Sequence, residues 1–174
     1  MSAEDLRSKI REIPDFPKPG ILFYDITTLI KQPKPFAEVI DLLVEPFAGT
    51  KVDVVVGMES RGFIFSAPMA IRLEAGFVPV RKLGKLPAET ISVEYALEYG
   101  TNTLEVHKDA IAPGQKVLIV DDLLATGGTL TACAQLAQRL GATIAGLTVL
   151  IELPALRGRE RLAAFGEVHS VLTY

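Results

Sequence analysis

VLIVDDLLATGGT, residues Val117 to Thr129, joins three signals in one short stretch. Val117 to Val120 are apolar and rich in β-branched residues, the composition of a buried strand, and the run stops at the paired carboxylates Asp121 and Asp122. The small residues Ala125, Thr126, Gly127, Gly128 and Thr129 follow, and a helical period begins at once. Glycines let backbone amides turn toward a ligand, and the unpaired N–H groups and dipole at a helix N-terminus favour an anion. The stretch therefore predicts a phosphate cradle beside two carboxylates. Donors for a phosphate and acceptors for hydroxyls suit a sugar phosphate.

The same layout recurs upstream. Val52 to Met58 reads as a buried strand, Glu59, Ser60, Arg61 and Gly62 as a polar turn, and Phe63 to Leu73 as a helix. Two such loops belong at the same carboxyl edge of a parallel sheet, where open α/β folds bind ligands. Arg61 then stands where a guanidinium can grip two anionic oxygens; the competing role is a surface pair with Glu59. A third strand, Phe77 to Val80, runs into Arg81, Lys82 and Lys85. A solvated charge run is the usual meaning of such a cluster, but a pyrophosphate at this edge would also account for it.

Elsewhere, Lys34 to Phe47 has a helical apolar period with Pro35 in its first turn, and Thr129 to Leu140 has another, stopped by Gly141. Thr143 to Ile151 predicts a strand finished at the ligand edge by Glu152, Leu153 and Pro154. Ala155 to Ala164 predicts a short helix, and Val168 to Leu172 a last strand. The β, α alternation calls for a parallel sheet covered by helices, with right-handed crossovers. At the N-terminus, Ser2 caps a helix with apolar residues Leu6, Ile10 and Ile13, and the proline-rich Pro14 to Gly20 is a stiff connector into a strand at Ile21 to Asp25. Phe16 in that connector either covers a flat ligand or packs on the surface. Residues 86–106 leave the core pattern. They read as a lid, with Tyr95 and Tyr99 flanking Glu98, or as an exposed hairpin.

A chain of 174 residues fits one α/β domain. The net charge of −3, with a pI near 5.5, offers no general attraction to nucleic acid or anionic membrane, so binding is expected to be focal. A single cysteine, Cys133, forms no intrachain disulfide or CxxC pair and falls on an apolar helix face. His107 and His169 lack metal or triad spacing and read as structural. No segment has the length of a membrane span, and the charged N-terminus lacks a signal-peptide core, so a cytoplasmic protein is expected.

Val117 to Thr129 resembles the phosphoribosyl pyrophosphate (PRPP) signature of the type I phosphoribosyltransferases. Four further pieces resemble the members of that family that act on adenine: DFPKPGILFYDIT at Asp15 to Thr27, GMESRGF at Gly57 to Phe63, RKLGKLP at Arg81 to Pro87 and LEYG at Leu97 to Gly100. Five pieces in order, from Asp15 to about Arg161, make the resemblance specific. It implies the fold of that family: one domain over residues 1–174, a mainly parallel sheet flanked by helices, a small base-binding hood at 1–33 and a catalytic lid at 86–106. It also implies magnesium-dependent transfer of ribose 5-phosphate from PRPP to adenine, giving AMP and pyrophosphate, by a homodimer.

By the same resemblance, Ala125, Thr126, Gly127, Gly128 and Thr129 hold the 5-phosphate, and Asp121 and Asp122 face the ribose hydroxyls. Glu59, Ser60, Arg61, Arg81, Lys82 and Lys85 surround the pyrophosphate, with part of the basic group supplied by a second subunit. The Glu59–Ser60 step takes an unusual backbone, a cis peptide being one form. Glu98 is the general acid/base near adenine N7 with Tyr99 beside it. Phe16, Leu22, Tyr24 and Leu153 form the base pocket. Magnesium enters mainly through PRPP, with no direct protein ligand assigned. Tyr24 departs from the family, where arginine is common in an FRD sequence, which bears on base affinity if the side chain makes the contact. The competing expectations are a 6-oxopurine as acceptor, or a PRPP-sensing regulator that binds nucleic acid. Glu98, the basic cluster and the acidic overall charge speak against the regulator.

Overall fold

A computed structural model describes residues 1–96 and 100–174. The chain divides into two units, Met1–Leu42 and Leu43–Tyr174.

In the first unit, Ser2 begins helix α1 (Ala3–Arg7): its hydroxyl accepts from the Asp5 N–H at 3.1 Å, and the Asp5 carboxylate accepts from the Ser2 N–H at 3.0 Å. The helix expected to run to Ile13 stops early, and Arg11–Ile13 is instead strand β1, antiparallel to β2 (Phe23–Asp25). The single stripe of Leu6, Ile10 and Ile13 is too narrow to hold a helix against this alternative. Pairing with β2 satisfies the backbone, and Arg11 Nε donates to the Asp25 carboxylate at 3.0 Å. The Thr27 hydroxyl and then Arg11 hold the Asp25 carboxyl down at about 2. The connector from Pro14 to Gly20 is non-helical as expected, with a cis Phe16–Pro17 bond. A short helix α2 (Thr27–Ile30), with no clear apolar period to announce it, follows β2. Helix α3 (Pro33–Val44) then crosses the boundary between the units. Its expected last turn is a separate 3-10 turn, Glu45–Phe47, because Pro46 has no N–H to continue the helical ladder.

The second unit holds, in chain order, β3 (Val54–Met58), α4 (Gly62–Arg72), β4 (Gly76–Lys82), β5 (Thr90–Ala96), β6 (Thr101–His107), β7 (Lys116–Leu124), α5 (Gly128–Arg139), β8 (Thr143–Glu152), α6 (Gly158–Leu162) and β9 (Val168–Thr173). The sheet order is β5-β6-β4-β3-β7-β8-β9. The five strands from β4 to β9 run parallel, while β5 and β6 join antiparallel at the β4 edge. The excursion at 86–106 is thus largely a hairpin. Its strand β5 buries Val93, and Arg139 of α5 donates to the Ser92 carbonyl at 2.9 Å.

All five residues of β3 are buried, as are Val117 to Val120 of β7. Central parallel strands are covered on both faces, which is why they read as continuous apolar runs. The α4 helix lies so close to β3 that a Cβ on Gly57 would fall 2.0 Å from Ser66 Oγ. Cys133 packs in the core on α5, and burial, then the nearby Asp121 charge, raises its thiol pKa. The expected Ala155 to Ala164 helix is broken by Arg157, which adopts φ 55°, into a 3-10 turn at Pro154–Leu156 and the short α6.

One expectation at the central motif is corrected. The β7 strand does not end at Asp121 but continues to Leu124. Its pairing with β3 stops at Val120, while its pairing with β8 goes on through Asp121, Leu123 and Leu124. A strand needs only one partner to continue, so the acids lie past the last pair that β7 makes with β3.

Candidate active site

Beyond the ends of β3 and β4, and along the last residues of β7, lies a cleft of about 340 Å³. It is built by three local structures with different chemistry. The first is the turn after β3. Glu59, Ser60 and Arg61 line the cleft, and the Glu59–Ser60 peptide is cis. The second is the β7 segment with Asp121 and Asp122. The third is the loop from Ala125 to Thr129, which lines the cleft; its Gly127 adopts φ 82° ahead of α5, and the first amides of a helix have no partner within it.

Gly62 opens α4 directly against β7: a Cβ there would lie 3.0 Å from Asp121 Oδ1 and 3.2 Å from the Val120 carbonyl oxygen. Asp121 Oδ1 accepts from the Asp122 N–H at 2.9 Å. Burial first, and then the adjoining Asp122 charge, pushes the Asp121 carboxyl well above its ordinary value. Burial also raises Asp122, against the pull of Arg61, whose Nε lies 3.0 Å from Asp122 Oδ2. That contact is an ion pair out of hydrogen-bond alignment, so Asp122 Oδ2 has no hydrogen bond among the described residues. A buried carboxylate oxygen with unused acceptor capacity is suited to a hydroxyl-bearing ligand.

The basic residues separate. Lys82 lines the cleft, and Arg81 does not. Neighbours in a strand point to opposite faces, so both side chains of an Arg-Lys pair cannot enter one cleft from β4. Arg81 instead meets Glu59, at 3.3 Å from each carboxylate oxygen, and Glu59 also accepts from the Lys82 N–H at 3.1 Å. Burial acts to raise Glu59, but the Lys82 N–H and the Arg81 guanidinium outweigh it and hold its pKa below the ordinary value. Thus Glu59 pairs with Arg81, and Arg61 with Asp122, in place of the Glu59–Arg61 surface pair weighed from the sequence. Lys85 is outside the cleft lining; its N–H and that of Leu86 donate to Glu105, an acid buried on β6.

Three lining residues escape motif reading: Tyr95, Asn102 and Leu104, all on the hairpin. Tyr95 carries a signal, as one of two tyrosines around Glu98, but the structure puts it against the cradle. Its hydroxyl lies 3.5 Å from Thr129 Oγ1, and its ring lies 3.3 Å from where a Gly128 Cβ would be. Asn102 has no sequence signal, since cross-strand pairing with Tyr95 brings it there. Glu98 and Tyr99, expected to be catalytic, lie outside the described residues. Of the expected base-binding residues, Phe16, Leu22 and Tyr24 belong to the first unit and Leu153 to the second. Phe16 is 50% exposed and stacks edge-on with Phe23, ring centroids 5.1 Å apart. Tyr24 sits across from Glu12 in the β1–β2 pair, and burial, then that acid, raises its phenol pKa. Leu153 follows β8, its N–H donating to the Leu124 carbonyl at 2.9 Å.

The phosphoribosyl transferase domain profile matches residues 25–165. The adenine phosphoribosyltransferase of Acidobacterium capsulatum is 56% identical over 174 residues, covering 100% of this chain and 96% of that one. The crystal structure of adenine phosphoribosyltransferase from Thermoanaerobacter pseudethanolicus superposes with a TM-score of 0.96 at 51% identity, covering 99% and 100% of the two chains. The Saccharomyces cerevisiae enzyme, crystallised with an imino-altritol bisphosphate and adenine, gives 0.92 at 40% identity, with 97% of each chain covered. A cleft with an amide cradle, paired acids and cations is thus carried on a chain that is alike from end to end, and the chain belongs to the adenine phosphoribosyltransferase family of the type I phosphoribosyltransferases.

Proposed function

We propose that this protein transfers the ribose 5-phosphate group of PRPP to adenine, forming AMP and pyrophosphate in purine salvage. The observation that carries the reading is the convergence of the Ala125–Thr129 cradle, the Asp121–Asp122 pair, Arg61 and Lys82 on one cleft. The cradle amides take the 5-phosphate, and Asp121 and Asp122 accept from the ribose hydroxyls. The turn at Glu59 to Arg61, with Lys82, receives the pyrophosphate. As the C1–O bond to pyrophosphate breaks, positive charge grows on the ribose and negative charge on the leaving group. Cations placed on the leaving side then stabilise the transition state more than the ground state. Glu98, with Tyr99 beside it, manages the adenine ring proton, and Phe16, Leu22, Tyr24 and Leu153 hold the base; these assignments rest on the family resemblance.

The donor set suits magnesium carried in on substrate oxygens. Two adjoining carboxylates face the cleft, one of them already opposite Arg61, and among the described residues no three acids, imidazoles or thiols converge on a metal position. Magnesium would be held chiefly by PRPP, near Asp121 and Asp122, and supplies neutralisation of the departing pyrophosphate. The homodimer belongs to the same reading. Arg81, held by Glu59, and Lys85 both lie outside this chain's own cleft lining, and the outer face of α4 leaves Ile71 80% exposed, a surface that a second copy would cover.

The test is an assay of the purified protein with PRPP, magnesium and each purine base, following nucleotide and pyrophosphate. Turnover with adenine is expected. Its absence, or a preference for hypoxanthine, guanine or xanthine, overturns the reading. Glu98→Leu should lower kcat more than it alters KM, by the roughly 100- to 10,000-fold typical of general acid/base groups.

A further inference from the structure

We infer that Gly158 and Arg159 are positioning residues for the 5-phosphate cradle: the segment after β8, anchored by Arg159, shapes the Ala125–Gly127 backbone through a contact at Gly158 that has no room for a side chain. A Cβ on Gly158 would lie 2.2 Å from the Ala125 carbonyl oxygen, 2.7 Å from Leu124 Cδ1 and 3.0 Å from the Gly127 nitrogen. The reverse contact is also too close for a side chain, since a Cβ on Gly127 would lie 2.7 Å from the Gly158 carbonyl oxygen. The two glycines have different reasons for being glycine. Gly127 adopts φ 82°, so its backbone demands glycine in any surroundings, whereas Gly158 is not among the glycines with positive φ. Only the close approach to the cradle excludes a side chain at Gly158.

The neighbouring residues hold that approach in place. Arg157, at φ 55°, takes a left-handed backbone unusual for a side-chain-bearing residue, and this turns the chain so that Gly158 meets the cradle. Arg159 then fixes the segment to two strands. Its guanidinium forks onto both oxygens of Glu152 at the end of β8, donates to the Val168 carbonyl at the start of β9, and reaches Ser170 Oγ at 3.3 Å. Ser170 donates to the same Glu152 oxygen at 2.7 Å. Arg159, and secondarily Ser170, hold the Glu152 carboxyl below its ordinary pKa, so the brace is charged at neutral pH. A rigid two-strand anchor is thus one residue away from the backbone that must keep its amides aimed at an anion.

The kinetic part of the inference rests on the transfer reaction proposed above, so its test includes a readout that does not. In Gly158→Ala the amide NMR signals of Ala125 to Gly128 should move, and calorimetric binding of ribose 5-phosphate should weaken. The KM for PRPP should rise on the order of 100-fold, the scale of a 1 Å misplacement, with kcat at saturating PRPP changed far less. Arg159→Gln should show the same pattern at roughly tenfold, and Arg159→Lys, which keeps the charge but loses the fork, should fall between it and the wild type. A merely structural role would lower the melting temperature and leave the KM of the folded fraction alone. Cradle amides and PRPP KM unchanged in folded Gly158→Ala overturn the inference, as do wild-type values in Arg159→Gln. Absence of adenine turnover in the wild type counts against the proposed function, and the amide signals still decide the positioning role.

Discussion

The turns after β3 and β7 have the same plan of strand, polar turn and helix, yet they make their parts of the cleft by opposite means. The β3 turn works through side chains: Arg61 reaches Asp122, and Glu59 holds Arg81 and the Lys82 amide. The β7 loop offers its backbone, since Gly127 and Gly128 line the cleft without side chains and let Gly158 and Tyr95 press close. A backbone cradle is pre-shaped and fixed in its spacing, which suits one phosphate in one place. A side-chain grip can adapt, which suits a group that arrives bound and leaves free. The difference teaches that a shared layout marks where a ligand goes, while the residue types mark how it is held.

The contrast can be broken most sharply at Gly127. Gly127→Ala meets both a left-handed φ and the Gly158 carbonyl, so kcat/KM for PRPP should fall on the order of 100-fold in steady-state assays. A near-normal value would mean that the cradle is not backbone-made. On the side-chain loop, Arg61→Gln removes the ion partner of a buried carboxylate. Breaking a fully buried pair costs about 3–5 kcal/mol, but the Arg61 side chain is 39% exposed, so about 1–2 kcal/mol of stability is expected in urea unfolding at pH 7. The difference from wild type should shrink as acid protonates Asp122, and a pH-independent difference would remove the ion pair as its cause.

A smaller effect of opposite sign is expected at Asp121. Its folded pKa is raised above the ordinary 3.8 by burial and by Asp122, so the folded state holds this proton more tightly than the unfolded chain does. That contribution is fully present below about pH 3.8 and is lost as pH rises toward the folded value. Asp121→Asn escapes the loss, so it should gain about 1 kcal/mol at pH 7, converge with wild type in acid, and lose activity. Asp25 has the reverse linkage. Its pKa, lowered to about 2, contributes stability above pH 3.8 that disappears as pH falls through 2, so Asp25→Asn should lower the melting temperature at neutral pH only. The least effect belongs to Tyr95→Phe. A hydroxyl contact at 3.5 Å is at the limit of a hydrogen bond, and its loss should cost less than about 0.5 kcal/mol in thermal unfolding.

Much of this was legible in the residues. The strand runs of β3 and β7, the glycine cradle, the paired acids and the Ser2 cap follow from composition and spacing, because each depends on chemistry within one turn or one strand. Where the reading missed, a partner from another part of the chain had intervened. Ile13 joined a strand because β2 offered a ladder and Asp25 offered a carboxylate. Asp121 stayed within β7 because β8 continued to pair after β3 had stopped. Arg81 and Lys82, equal in sequence, were parted by the alternation of β4 and by Glu59.

The residues of Val117 to Thr129 thus set the kind of site proposed for the cleft, backbone donors for an anion next to acceptors for hydroxyls, from residue type and local conformation. Tertiary structure decided which other groups face it. Tyr95 comes from across the hairpin, Arg61 from beyond the neighbouring strand, and Gly158 from a later segment, and each is placed by pairing and packing between residues far apart in the chain. Spacing along a chain encodes local geometry, whereas the meeting of distant residues is settled only when the sheet forms.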